Sequence, residues 1–191
     1  MLIHRYIKSY GPVTLKDIYW WLGANNSQVK KVLDNLGGKI NNINISDLEL
    51  EYMICKEEIK KLTESNLHKQ NIKNLLTRLD PYLMGYKDRE RYVPSEDYEF
   101  IFDRSGNATS TILFNGRVIG IWDVIEKPNP TLKVFLFGEI DEIIMNKINI
   151  EGKKIGKFIT NQVSPIKICD EMTPLTKRTM GGFMSPLKDC N

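Results

Sequence analysis

The amino-acid sequence predicts an α+β fold with a helix-rich N-terminal part and a β-rich C-terminal part, on three observations. Two short amphipathic segments, each with its own start and stop signal, lie between Gly11 and Gly38. Apolar and polar residues then alternate from Lys39 to Ile54. Farther on, Asn115-Gly116 stands between β-branched runs, and that dipeptide is the strongest short-range hairpin signal because both residues tolerate positive φ.

The N-terminal elements follow from local chemistry. Leu2, Ile3, Tyr6 and Ile7 form the apolar stripe of a first helix that ends before Gly11-Pro12. Thr14 stands three residues ahead of Asp17, the spacing of an N-cap hydroxyl and an acid at N3. Ile18, Trp21 and Leu22 repeat at helical spacing, and Gly23 is a natural left-handed stop. Asn26 or Ser27 caps the next helix, whose apolar positions are Val29, Val32, Leu33 and Leu36 before Gly37-Gly38 ends it. Two helices joined by so short a turn make a helix-turn-helix. Lys39–Ile45, a turn at Ser46-Asp47, and the alternation of Leu48, Leu50, Tyr52 and Ile54 predict a two-stranded hairpin with one buried face. Helix, helix-turn-helix and hairpin in this order describe a winged helix, expected over residues 1–62.

Lys56–Leu62 reads as a short helix, and the polar stretch 63–74 as a linker. A β-rich domain is expected over 75–191. It opens with a strand at Ile72–Leu76 and a helix start at Asp80-Pro81, where Asp80 caps and proline occupies N1. Ser95 is expected to cap a helix reaching about Phe102, with Glu96 and Asp97 in its first turn. Thr109–Phe114, Arg117–Val124 and Leu132–Phe137 are three successive strands, predicting an antiparallel sheet or a small barrel with flanking helices. A helix is expected over Ile140–Ile159, despite Gly152 and Gly156, then a strand at Ile166–Cys169 and irregular chain over Met172–Leu187.

Composition narrows the class. The chain has 191 residues, 41% hydrophobic and 27% charged, a globular and not a disordered balance. No apolar run is long enough to span a bilayer, and no basic-then-apolar leader follows Met1, so a cytoplasmic protein that does not engage membranes is expected. Cys55, Cys169 and Cys190 are far apart and lack Cys-x-x-Cys spacing, which predicts isolated buried thiols instead of a disulfide framework or zinc site. His4 and His68 are too scattered for a metal site, and no cofactor or metal is expected. Residues 1–74 carry 11 basic against 8 acidic side chains, whereas 75–191 carry 16 of each.

That surplus places a candidate phosphate-contacting surface on the N-terminal part. Asn25, Asn26, Ser27, Gln28, Lys30, Lys31 and Asn35 lie off the apolar stripe of the second helix of the pair, with Lys39 just beyond. Asn and Gln can pair bidentately with adenine, and lysine neutralises phosphate. A solvated helix face has the same composition, and winged helices also serve as protein-interaction modules. A second candidate is the basic and aromatic run Tyr86, Lys87, Arg89, Arg91 and Tyr92, suited to holding phosphates and stacking on bases. The alternative there is a solvated loop in which Asp88 and Glu90 neutralise the arginines. No nucleophile elbow, cysteine–histidine pairing, P-loop or dinucleotide fingerprint is present, and no catalytic residue is assigned.

Three stretches together resemble a known family. Asp80-Pro-Tyr-Leu-Met-Gly-Tyr-Lys-Asp-Arg89, the hairpin Asn115-Gly-Arg-Val-Ile-Gly-Ile-Trp122, and Gly11-Pro-Val-Thr14 with Trp20-Trp-Leu-Gly23 resemble the winged-helix DNA-binding-domain proteins that include bacterial glycosylases for alkylated and interstrand-crosslinked bases. The similarity runs from about Tyr6 to about Lys188. It implies tandem winged helices beside a C-terminal β-barrel, arranged around a DNA-binding concavity. Catalysis in that family is associated with a Gln-x-Gln or Gln-x-Asp motif ahead of the winged helix matched here. Gln28, Gln70 and Gln162 each lack the partner two positions on, so the resemblance implies architecture and DNA binding and carries over no catalytic residue. The chain is thus expected to be the C-terminal part of a longer protein or a shortened relative.

Three functions follow as expectations. The first is a module for double-stranded DNA. The second is a base-excision glycosylase or its non-catalytic subunit, with Asp80, Asp88 and Asp103 as candidate acids that each also suit a cap or turn. The third is an interaction scaffold that pairs with an N-terminal partner segment or forms a homodimer.

Overall fold

The computed structural model describes residues 2–64, 73–125, 130–162, 165–177 and 186–187. The chain divides into two units, one of residues 1–69 with 81–91 and one of 70–80 with 92–191. The run 81–91, read from sequence as part of the C-terminal domain, therefore belongs to the first unit.

In the first unit, α1 (Leu2–Tyr10) buries Ile3, Tyr6 and Ile7. Helix α2 (Leu15–Leu22) starts as its sequence predicts. Asp17 N–H donates to Thr14 Oγ1 at 3.1 Å while Thr14 N–H donates to Asp17 Oδ2 at 2.8 Å, a reciprocal capping box. Gly23 closes α2 in the left-handed region at φ 60°. Helix α3 spans Asn26–Leu36. Its cap is Asn25, not Asn26 or Ser27, because Asn25 Oδ1 reaches Gln28 N–H at 3.0 Å and Gln28 Oε1 accepts from Asn25 N–H at 3.4 Å.

Strands β1 (Ile40–Asn44) and β2 (Glu51–Cys55) pair antiparallel, with Ile40 opposite Cys55. Leu48 and Leu50 fall in the connection, whose Asp47 has φ 67°, so the second strand begins later than the alternation predicts. Nor is β2 buried on one face alone, since Tyr52, Met53, Ile54 and Cys55 are all buried. On one side Cys55 meets His4 of α1; on the other Tyr52 meets Asp88. Val13 pairs antiparallel with Met53 through two backbone hydrogen bonds of 2.9 and 2.7 Å. Helix α4 (Lys56–Glu64) carries no buried residue, and α5 (Pro81–Met84) buries Leu83.

The second unit is built on one sheet of β3 (Lys73–Leu76), β4 (Thr111–Phe114), β5 (Arg117–Ile125), β6 (Thr131–Leu136) and β7 (Ile166–Ile168), adjacent in that order. Asn115 and Gly116 turn between β4 and β5 at φ 49° and 83°, the two left-handed positions that the Asn-Gly pattern predicts. The barrel alternative is not what forms: among the described residues the sheet is open, with β3 and β7 at its edges. Nor is it wholly antiparallel, because β7 runs parallel to β6 after the crossover helix α7 (Glu142–Thr160), as parallel neighbours require. Ile148 of α7 joins Ile112, Trp122, Leu132 and Val134 in the core. Gly152 does not break α7; a Cβ there would fall 2.5 Å from Leu132 Cδ2, so glycine lets helix and sheet approach.

Ser95 opens a 3₁₀ turn (Ser95–Asp97) ahead of α6 (Tyr98–Ile101), and no side chain caps either element. Cys169 is disulfide-bonded, which corrects the reading of all three cysteines as isolated thiols, while Cys55 is a free, buried thiol. Half of Met172–Leu187, residues 178–185, lies outside the described residues, and Leu175–Lys177 forms a 3₁₀ turn.

Candidate nucleic-acid interface

The α3 surface holds eight of the twelve candidate residues. Asn25, Asn26, Ser27, Gln28, Lys30, Lys31, Asn35 and the following Lys39 are all exposed, while Val29 and Leu36 anchor the opposite side in the core. They are not equivalent. Asn25 and Gln28 are committed to the capping pair, and Ser27 Oγ donates to Asn25 Oδ1 at 2.8 Å. The side chains of Asn26, Lys30, Lys31 and Asn35 form no hydrogen bond or ion pair among the described residues, so they project into solvent from a helix whose start is fixed.

The basic and aromatic run is a different object. Tyr86 is 5% exposed and Arg89 5%, and the Arg91 side chain is 12% exposed; only Lys87 projects outward. These arginines and this tyrosine do not form a surface for phosphates and bases, which corrects the expectation drawn from their spacing. They organise a polar core instead. Asp17, fully buried, accepts backbone N–H bonds from Lys87 at 2.7 Å and Asp88 at 2.8 Å through Oδ1. Its Oδ2 takes Thr14 N–H and the Arg91 guanidinium at 3.3 Å. Arg91 also donates to the Pro12 carbonyl and lies over the rings of Tyr86 at 4.4 Å and Tyr52 at 4.8 Å, a desolvated cation–π arrangement. Tyr52 OH donates to Asp88 Oδ2 at 2.8 Å, and Tyr86 OH to the Tyr10 carbonyl at 2.8 Å. A buried charge of this kind is tolerable because every strong acceptor on Asp17 is filled.

Burial drives the phenols of Tyr6, Tyr52 and Tyr86 well above the ordinary tyrosine range. The charge on Asp17 adds to this for Tyr6, and the hydrogen bond to Asp88 for Tyr52. Sequence reasoning found Asp17 as the first-turn acid behind the Thr14 cap and Arg91 as a basic residue, but not their pairing. The flanking Tyr86 and Tyr92 were the available signal, since an arginine between aromatic residues suits a sandwiched site as well as a base-stacking one.

Two of the three candidate acids, Asp88 and Asp103, take structural roles. Asp88 holds Tyr52. Asp103 accepts from Ser105 N–H at 2.8 Å and from Asn107 N–H and Nδ2 at 2.9 Å each. Burial pushes the Asp103 carboxyl up, but these hydrogen bonds outweigh it and hold it below the usual range. Asp80 N–H donates to the Thr77 carbonyl at 3.3 Å in the turn ahead of α5. One cysteine–histidine proximity does exist: Cys55 Sγ lies 3.9 Å from His4 Nε2. Burial raises the thiol's pKa, the opposite of what an activated nucleophile needs. Among the described residues no group of three or more His, Cys, Asp or Glu is placed to hold a metal, and no helix is long and apolar enough to cross a membrane.

By fold, the described residues define a mixed α+β protein with two sheets and seven α-helices. Residues 1–140 match the family described as DNA glycosylase AlkZ-like, and the chain belongs to that family. It is 20% identical over 171 residues to an interstrand DNA cross-link repair glycosylase of Streptomyces sahachiroi, covering 87% of this chain and 44% of the relative. The solved structure of the Streptomyces sahachiroi DNA glycosylase AlkZ superposes with a TM-score of 0.72 at 18% identity, over 87% of this chain and 44% of that one. The shared fold is thus clear, and the chain spans less than half the length of these relatives.

Proposed function

We propose that this chain is a DNA-engaging part of a glycosylase-like repair protein, its first unit acting as a winged helix that lays α3 against duplex DNA. The observation that carries the reading is the α3 surface, where Asn26, Lys30, Lys31 and Asn35 stand free on a helix pinned by its capping pair. Membership of a DNA glycosylase family supports DNA as the partner. The order α1, the Val13 bridge, α2, α3, β1 and β2 supports the winged-helix reading. Phosphate contact then falls to Lys30, Lys31, Lys39 and Lys87. The hairpin tip takes no part in it, since its exposed Asp47 and Glu49 repel phosphate.

Titration of labelled duplex DNA at several salt concentrations tests this. Binding should weaken with salt, with a log–log slope set by the number of phosphates neutralised. Binding that salt leaves unchanged, or none at low salt, defeats the reading.

A second reading, base excision by this chain itself, draws on the family alone. Incubation with alkylated duplex followed by detection of abasic sites decides it, and no base release at high protein concentration ends it.

A further inference from the structure

The solvent face of α7 presents basic and aromatic groups together. Phe158 is 90% exposed, the most exposed large hydrophobic residue among those described. Lys157 precedes it, and Lys153 and Lys154 lie one turn back, all exposed. Ile150 and Ile143 continue this face at 54% and 61% exposure, with Lys147 between them. Among the described residues of α7, the acid near the centre of this face, Glu151, is already engaged by Lys154 at 3.0 Å and Lys73 at 3.8 Å. The opposite side of α7, through Ile148 and Gly152, is closed against the sheet, so the helix is held rigidly with this face outward.

We infer that the α7 face is a second nucleic-acid contact, in which Phe158 stacks on an unpaired base while Lys153 and Lys157 hold the adjoining phosphates. This rests on the reading of the chain as a DNA-binding protein. An isolated aromatic ring flanked by cations is the arrangement that single strands use, because every base offers a π face and every linkage a negative charge. A helix lying on a membrane segregates its apolar and charged sides; here Ile143, Ile150 and Phe158 alternate with lysines on one face. The carbonyl end of the helix dipole disfavours phosphate by itself, and Lys157 in the last turn offsets it.

The test is titration of a labelled single-stranded oligodeoxynucleotide of mixed sequence, with duplex of the same sequence in parallel. Wild type should bind both. Phe158→Ala should weaken single-strand binding roughly 5- to 100-fold while leaving duplex affinity and the thermal melt unchanged. Lys153→Gln and Lys157→Gln together should lower the single-strand salt slope by roughly 1.4. Quenching of Phe158→Trp fluorescence by the oligonucleotide would report the stack directly. Equal single-strand affinity for wild type and Phe158→Ala overturns the inference, as does duplex binding without single-strand binding, which leaves the α3 reading intact. Failure of wild type to bind either form removes both. Binding to phosphatidylcholine–phosphatidylserine vesicles that Phe158→Ala abolishes, with DNA binding unaltered, overturns it in favour of a membrane contact.

Discussion

Asp17 and Arg91, 74 residues apart, form an ion pair at 3.3 Å in which the carboxylate is fully buried and the guanidinium side chain is 12% exposed. The pair fastens segment 81–91 to the start of α2, because the same carboxylate also takes the backbone N–H groups of Lys87 and Asp88. Removing one partner of a buried pair leaves the other charge uncompensated, at a cost of about 3–5 kcal/mol. Asp17→Asn is expected to cost that much, since its amide NH₂ turns a donor toward groups that themselves donate. Urea denaturation followed by circular dichroism measures it, and a loss under about 1 kcal/mol would show that the pair contributes only as an exposed one does.

The arginines of the basic run and the lysines of α3 should separate cleanly by what their replacement changes. Arg91→Lys loses the planar group stacked on Tyr52 and Tyr86 and is expected to destabilise by about 2 kcal/mol. It should leave the salt slope of duplex binding unchanged, because no phosphate reaches that side chain. Lys30→Gln with Lys31→Gln should do the reverse, lowering the slope by roughly 2 with little effect on the melt. A change of slope in Arg91→Lys equal to that of the lysine pair would return the arginine to the DNA surface.

Legibility of the fold followed the range of the determining interactions. Thr14 with Asp17, Gly23 and Asn115-Gly116 act within four residues, and the structure forms each as its local chemistry dictates. The cap of α3 moved by one position because Asn25 and Gln28 offer a reciprocal pair that the apolar stripe does not reveal. What depends on distant partners was not readable. Alternation predicts one buried face for β2, but α1 and segment 81–91 cover both. Successive strands suggest a meander or barrel, whereas β7 pairs parallel only because α7 carries the chain across. At the candidate site, exposure of Lys30 and Lys31 was readable from the helical stripe. The burial of Arg89 and Arg91 was not, since alternating charges look solvated until their partners are known.

High pH should unfold the first unit through its phenols. Tyr6, Tyr52 and Tyr86 have pKa values raised in the folded state, chiefly by burial. A group with a raised folded pKa contributes stability in full below its unfolded value and loses it as pH rises through the folded one. Stability is therefore expected to fall above about pH 10, where an unfolded tyrosine ionises. Tyrosinate absorbance measured beside near-ultraviolet circular dichroism checks this: of the eight tyrosines, Tyr6, Tyr52 and Tyr86, and with them Tyr82, whose pKa burial also raises, should ionise only as the ellipticity is lost. Reversible ionisation of all eight with the ellipticity intact would contradict it.

Gly120 should be the least replaceable glycine of the second unit's sheet. It sits in β5 between Ile112 of β4 and Leu136 of β6. A Cβ there would lie 2.4 Å from the Phe135 carbonyl oxygen and 3.3 Å from Leu136 Cα. These are backbone atoms, which cannot rotate away as a side chain can, so relief requires the strands to separate. Gly120→Ala is expected to destabilise by about 1–3 kcal/mol, the range for overpacking a closed site. Gly38 is the control: it has φ −67° and open space around its missing Cβ. Gly38→Ala should stabilise by about 0.4–1 kcal/mol through the unfolded chain. Urea midpoints at constant m-value give both numbers, and equal shifts in the two variants would mean that the β5–β6 approach is looser than the 2.4 Å spacing requires.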